Sequence, residues 1–228
     1  MALLVQGQVG PTTNADGSSQ LLRLGRAGDA IITALHGRFY EQNYRGNVFS
    51  IGNNAVALSA NTITLTATST PILGVWNPPT STVNIVLLKA SLTYYANTLT
   101  TPAAPGPFAW ASSVGNTAIS TGLAPYNRKT MQAAGSQAKA FAGATALTGL
   151  TNNLTIFDGA DFPSPGILAY GIITPSTTSA TGTQGQAGIT EFEGALMVPP
   201  GGVLSLVNTT STTTFSVSGK IIWEEVPL

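Results

Sequence analysis

The chain has 228 residues, no cysteine and a formal net charge of zero, and only 8% of its residues are charged. That length fits one large β-sandwich or barrel, or two small domains. The lack of cysteine excludes disulfides, thiolate metal sites and cysteine nucleophiles.

The low charge density is the most unusual property of the sequence. Typical soluble domains carry roughly 25% charged residues. A free monomer with so few charges and no net charge has little protection against association. We therefore expect part of the surface to be buried against partner subunits and the rest to be covered by neutral Thr, Ser, Asn and Gln.

The first 30 residues have the composition of an arm rather than of a packed element. They contain five glycines, one proline and one asparagine at turn-favouring positions: Gly7, Gly10, Pro11, Asn14, Gly17, Gly25 and Gly28. This pattern predicts an extended N-terminal arm over 1–30 that becomes ordered on docking, followed by a single domain over 31–228.

The start of the chain lacks a basic segment followed by an apolar one, so we expect no export signal. No apolar run approaches the roughly 18 residues that a membrane span needs, so we expect no membrane partner.

Arginine and tyrosine cluster in the first 50 residues. Six residues there are candidate partner contacts: Arg23, Arg26, Arg38, Tyr40, Tyr44 and Arg45. After position 140, six acids face a single base: Asp158, Asp161, Glu191, Glu193, Glu224 and Glu225 against Lys220. Such an asymmetry suits head-to-tail or lateral contacts between subunits. The alternative is a small number of solvated charges distributed by chance.

Strand signals dominate the rest of the chain. Thr62–Thr68 alternates polar and apolar residues, Val83–Tyr95 is a long run whose first half is mainly apolar, and Val203–Val207 follows a stiff Pro-Pro-Gly-Gly turn. Phe215–Ser218 and Ile221–Trp223 predict a hairpin around Gly219. Strands separated by Gly, Pro and Asn turns, without regularly spaced helices, indicate an all-β fold: an antiparallel, jelly-roll-like β-sandwich or barrel.

Two segments depart from this pattern. Residues 126–142 contain good helix formers interrupted by Gly135 and Ser136, which predicts one short helix or an irregular loop within an insert near 124–150. Residues 176–188 have low complexity and no apolar periodicity, which predicts an exposed, mobile loop.

Catalytic and metal chemistry find little support in the sequence. His36 is the only histidine and no Gly-x-Ser-x-Gly turn is present, so a structural role is favoured over that of a general base, and zinc lacks its usual ligands. Glu191 and Glu193 lie two apart, about 7 Å on a strand, which suits two glycosidase carboxylates. We favour a solvent-facing pair with Phe192 turned inward. Asp158 and Asp161 favour a capped turn over a calcium site. We expect no enzyme, no cofactor and no metal.

Nucleic-acid binding is not expected either, because nine basic residues balance nine acids without a basic run. A second hypothesis is glycan binding, in which an aromatic ring stacks on a sugar. Its candidates are Trp76, Trp110 and Trp223, for which core packing is the favoured alternative.

Both ends of the chain carry a resemblance. The C-terminal Glu193–Leu206 and Ile221–Pro227, with the N-terminal Leu35–Glu41 and Arg45–Ser50, resemble the ends of small virion proteins of tailed bacteriophages. These are jelly-roll capsid decoration (cement) proteins and related head-fibre or tail components. The resemblance covers about half of the chain and implies no catalytic residue.

The resemblance implies a homotrimer seated on the major capsid protein, at the capsid surface of the virion, after synthesis in the host cytoplasm. We therefore expect a capsid decoration protein that stabilises the head. The alternative is a head-fibre or tail receptor-binding module that contacts host glycans.

Overall fold

The structure is a computed structural model, and it describes part of the chain. The described residues are 7–8, 22–23, 37–53, 56–58, 64–65, 71–96, 108–115, 122–142, 150–159, 185–209 and 212–228. The chain divides into two compact units, Met1–Glu41 and Gln42–Leu228.

The first unit contains one described strand pair. Strands β1 (Gly7–Gln8) and β2 (Leu22–Arg23) run parallel to each other.

The helix of the described residues, α1, spans Tyr40–Arg45 and is followed by Gly46 at φ +83°. Glycine adopts this left-handed conformation without steric cost, so it ends a helix readily.

The second unit contains two antiparallel sheets. The first sheet has the strand order β10-β6-β13-β8-β11-β5. Its strands are β5 (Thr64–Leu65), β6 (Leu73–Trp76), β8 (Phe108–Ser113), β10 (Lys139–Ala142), β11 (Leu154–Gly159) and β13 (Val203–Asn208).

The second sheet has the strand order β12-β7-β14-β3-β9, and β4 also pairs with β14. Its strands are β3 (Val48–Gly52), β4 (Val56–Leu58), β7 (Val83–Ala96), β9 (Tyr126–Asn127), β12 (Gly185–Val198) and β14 (Thr212–Pro227).

The main hydrophobic core lies between the two sheets. Both sheets contribute large buried side chains to it: Leu73, Val75, Trp110, Leu204 and Leu206 from the first, and Phe49, Ile85, Leu92, Ile221 and Trp223 from the second. Two antiparallel sheets packed on a shared core form a β-sandwich. The prediction of an all-β antiparallel sandwich is therefore confirmed, while the jelly-roll connectivity stays a prediction.

The centre of the first sheet is buried on both faces. Every residue of β13 is buried, and a second apolar cluster that includes Trp76, Phe141 and Val207 lies on the face away from the main core. A strand that is covered on both faces has a continuous run of apolar residues in its sequence, rather than an alternation of polar and apolar residues. This accounts for the nearly continuous apolar run Val203–Val207, in which the buried Ser205 is the one polar residue.

The predicted C-terminal hairpin is wrong, because β14 runs without a turn from Thr212 to Pro227. Gly219 pairs with Leu92 inside the strand, and Asn53 approaches it closely. A Cβ at Gly219 would lie 3.4 Å from both Asn53 Oδ1 and the Leu73 side chain. The glycine thus marks a close approach within a strand, not a turn.

The segment 126–142 contains the short strands β9 and β10 joined by turns, so of the two predictions the irregular loop is confirmed and the helix is not. Of the predicted mobile loop at 176–188, Gly185–Gly188 belongs to β12, which contradicts the prediction there. Residues 176–184 lie outside the described residues, as do all residues of the predicted strand Thr62–Thr68 except Thr64–Leu65. The strand predictions at Val83–Tyr95 and Val203–Val207 are confirmed by β7 and β13.

Asn53 forms a polar clamp between the two sheets. Its Nδ2 donates to the carbonyl of Ile72, directly before β6, at 2.7 Å, and its Oδ1 accepts from Gly219 N in β14 at 2.6 Å. The side chain is 7% exposed, so water cannot replace these bonds in a variant that lacks them.

We expect Asn53→Ala to lower the free energy of unfolding by about 2 kcal/mol, because it leaves a buried carbonyl and a buried amide unpaired. Urea titration followed by circular dichroism measures the loss. The control is Asn152→Ala, which removes an exposed 3.1 Å bond from Nδ2 to Val114 O and should cost less than about 0.5 kcal/mol. Equal losses in the two variants would contradict the clamp.

Candidate interaction surface

The two candidate catalytic carboxylates lie on the surface of β12. Glu191 and Glu193 are exposed, and Phe192 between them packs edge-on against Trp110 with ring centroids 5.4 Å apart. The preferred interpretation of this segment, with Phe192 turned inward, is confirmed. Glu191 Oε1 and Lys89 Nζ form an ion pair at 3.0 Å, and the Glu191 and Lys89 side chains are 60% and 37% exposed. An exposed pair of this kind contributes about 0–1 kcal/mol to stability.

The strand is irregular at this point. Four residues of β12, 192–195, lie opposite the single residue Leu88 of β7, and Glu193 and Gly194 have φ of 51° and 90°. The regular strand geometry on which the 7 Å spacing of Glu191 and Glu193 depended therefore does not apply. A bulge also interrupts the free edge of a strand and so hinders unwanted pairing.

Several residues considered for catalysis, metal binding or partner contact lie wholly or partly outside the described residues. His36, Asp161 and Arg26 lie outside them, and of Arg23 and Asp158 only the backbone is described. Across the ranges that the structure does describe, no group of three or more His, Asp or Glu side chains could hold a metal ion. In the same ranges no helix is long and apolar enough to cross a membrane.

The predicted partner-contact residues that are described do not form one cluster with a common environment. In the first unit, Arg38 lies 5.6 Å from the centroid of the Phe39 ring, and Tyr40 is 44% exposed. In the second unit, Tyr44 is exposed and Lys129 Nζ lies 4.8 Å from its ring centroid. Lys129 was not among the predicted partner contacts, because 85 positions separate it from Tyr44 along the chain.

All three tryptophans are buried. Trp76, Trp110 and Trp223 are 8%, 2% and 0% exposed. The prediction that they pack in the core is confirmed, and as glycan-stacking residues they are inaccessible.

An apolar groove lies along the sandwich where β12 of the second sheet meets β8, β11 and β13 of the first. It has a volume of about 360 Å³, and its lining contains no charged residue. Three exposed apolar side chains belong to that lining: Val114, Phe157 and Met197, at 62%, 50% and 53% exposure. Phe157 is the extra residue of a bulge between β11 and β8. Exposed apolar side chains grouped in this way indicate a contact surface for another macromolecule.

A second accessible surface is the outer face of the second sheet, which faces away from the core. Lys89, Lys220, Ile222 and Glu224 belong to it, because their neighbours along β7 and β14 are in the core. Burial lowers the pKa of the Lys220 ammonium, and the charges of Arg128 and Lys89 lower it further. Burial also raises the pKa of the Glu224 carboxyl.

The chain was also compared with known proteins. No family model matches it, and no curated protein or solved structure is significantly similar to it.

Proposed function

We propose that this protein is a structural subunit of a bacteriophage particle, a non-enzymatic decoration protein that binds the lattice of the major capsid protein and stabilises the head. The observation that carries the proposal is the apolar groove with its three exposed side chains on a chain in which only 8% of residues are charged. Such a surface is stable in water when it is covered in an assembly.

Three further observations support the proposal. The β-sandwich is a rigid scaffold with flat faces, which suits contacts to a repeating lattice. The ends of the sequence resemble phage virion proteins. The exposed Glu191 is held by Lys89 and lies outside the groove, so the groove offers no described carboxylate for hydrolysis.

The remaining parts of the proposal follow from the same role. The partners are the major capsid protein and further copies of this chain, for which the resemblance implies a trimer, and the location is the capsid surface. Nucleic acid and membrane are not partners. The alternative, a head-fibre or tail module that binds glycans, lacks the tryptophans suggested for it because all three are buried.

The experiment measures binding to phage particles that lack this protein, by co-sedimentation, and the number of copies per complete particle. We expect hundreds of copies, and we expect Phe157→Asp to weaken binding at least about tenfold, because it places a charge on the apolar groove. The control is Met131→Asp, an apolar residue with 82% exposure in the loop after β9, outside both the groove lining and the strands of the second sheet.

Two outcomes would contradict the proposal. One is a particle that contains only a few copies, which would indicate a fibre or tail component. The other is unchanged heat resistance of particles that lack the protein.

A further inference from the structure

The outer face of the second sheet carries a charge pattern that is complementary to itself. Along β14, Lys220, Ile222 and Glu224 project from this face, since Ile221 and Trp223 between them are in the core. Lys220 is exposed, and Ile222 and Glu224 are partly exposed. The base and the acid lie two residues on either side of Ile222, about 13 Å from each other along the strand.

Neither charge is neutralised by the strands beside it. Lys220 pairs in register with Ser91 of β7 and Gly52 of β3. Glu224 pairs with Val86 of β7 and Val48 of β3. Across the part of the chain that the structure describes, neither side chain takes part in an ion pair.

The surroundings of both groups disfavour their charged forms. Burial lowers the pKa of Lys220, with Arg128 and Lys89 acting in the same direction, and burial raises the pKa of Glu224. An opposite charge close to each group would offset this penalty. The cations near Lys220 would in addition attract an acid from outside the subunit.

We propose that two copies of this chain pack through the outer faces of their second sheets, around a two-fold axis at Ile222, so that Lys220 of each meets Glu224 of the partner subunit. The axis lies in the plane of the interface and perpendicular to β14, and the two β14 strands therefore run antiparallel across it. A two-fold contact uses the same patch on both subunits, which requires a patch that is complementary to itself. The Lys220–Ile222–Glu224 sequence meets this requirement.

The centre of the contact is apolar. Ile222 lies at the axis, and Val86 and Val226 on the same face are partly exposed. Lys89 pairs in register with Ile222 and so also lies near the axis. Its charge is compensated within the subunit by Glu191 at 3.0 Å, which limits repulsion between the two copies.

The size of the face agrees with a specific dimer. Strands β12, β7 and β14 extend about 30 Å alongside residues 218–226, and β3 and β9 add about 17 Å and about 7 Å of strand. At a spacing of about 4.8 Å these strands cover roughly 550 Å², and two such faces bury roughly 1,100 Å² together, above the ~1,000 Å² expected of a specific interface. The formal net charge of zero means that two copies do not repel each other as whole molecules.

This inference does not depend on a role in phage particles. The experiment measures the mass and the dissociation constant of the full chain by sedimentation velocity and light scattering. We expect a species of twice the 23.3 kDa of one chain, or of six times that mass where the trimer of the proposed function forms as well. Lys220→Glu and Glu224→Lys should each weaken dimerisation at least about tenfold, because each places like charges opposite one another. The double variant restores opposite charges and should return to within about threefold of the wild type.

The control is Lys139→Glu, the same charge change at an exposed position of β10 in the other sheet, which should leave dimerisation unchanged. Circular dichroism shows that each variant is folded. A monomer at about 100 µM, an odd-numbered assembly insensitive to both single substitutions, or a double variant as weak as the single ones would overturn the inference. Retained particle binding alongside any of these results would leave the proposed function standing.

Discussion

Gly74→Ala should lower the free energy of unfolding by about 3 kcal/mol, because the added methyl group has no space in the first sheet. Gly74 pairs with Phe141 of β10 across the sheet. A Cβ at Gly74 would overlap the Cζ and Cε2 atoms of the Phe141 ring and lie 2.8 Å from Leu204 O. The ring is fully buried and the carbonyl belongs to the neighbouring strand β13, so neither can move aside cheaply. Urea unfolding at a fixed protein concentration measures the loss as a lower midpoint.

Gly52→Ala is the matched control. Gly52 is also in a strand, and a Cβ there would meet only Gly219 O at an ordinary 3.5 Å. Alanine has less backbone freedom than glycine in the unfolded chain and therefore loses less entropy on folding. The stability of Gly52→Ala should be unchanged or slightly higher than that of the wild type. Gly74→Ala combined with Phe141→Leu should lose less than the sum of the two single variants, since the smaller side chain makes room. Equal stabilities of Gly74→Ala and Gly52→Ala would contradict the close packing.

The sequence predicted strands best where apolar residues dominate a run. Val83–Tyr95 and Val203–Val207 were both found because burial on one or two faces leaves a direct trace in the sequence. Gly219 misled the prediction, since a glycine required by close approach looks the same in sequence as a glycine required by a turn. Helix formers at 126–142 misled it in part, because contacts from the distant Glu225 hold that segment in an irregular conformation.

The candidate interaction surfaces were harder to predict from the sequence than the strands were. The inward turn of Phe192 and the burial of the tryptophans follow from local pattern and side-chain size, and both were predicted. The groove brings together Phe157 of β11, Met197 of β12 and Val114, directly after β8, and nothing in the sequence specifies that these three residues meet. The alternation of Lys220, Ile222 and Glu224 could have been read as one face of a strand, but the predicted hairpin at Gly219 obscured it.

Glu225 was counted among the acids available for contacts between subunits, and the structure corrects this prediction. Its side chain is 7% exposed and serves the inside of the molecule. Oε1 accepts hydrogen bonds from Ser136 Oγ at 2.6 Å, from Gln137 N at 3.1 Å and from Trp223 Nε1 at 3.4 Å. Ala138 N donates to the same oxygen at 3.3 Å. The carboxylate therefore fixes the loop before β10 onto β14.

Glu225→Ala should lower the free energy of unfolding by about 3 kcal/mol, because it leaves the buried indole N–H and the Gln137 amide without an acceptor, and hydrogen bonds to a charged group are the stronger kind. Glu225→Gln keeps one acceptor oxygen and should lose about half as much. Urea unfolding measures both losses, and hydrogen exchange should become faster at Gln137 and Ala138 before it does in the core strands. Glu191→Ala, which removes an exposed carboxylate paired with Lys89, is the control and should cost less than about 1 kcal/mol. If Glu225→Ala costs no more than Glu191→Ala, then the loop is held by its apolar contacts, and Ala138 and Ala140 in the core are the anchors to test next.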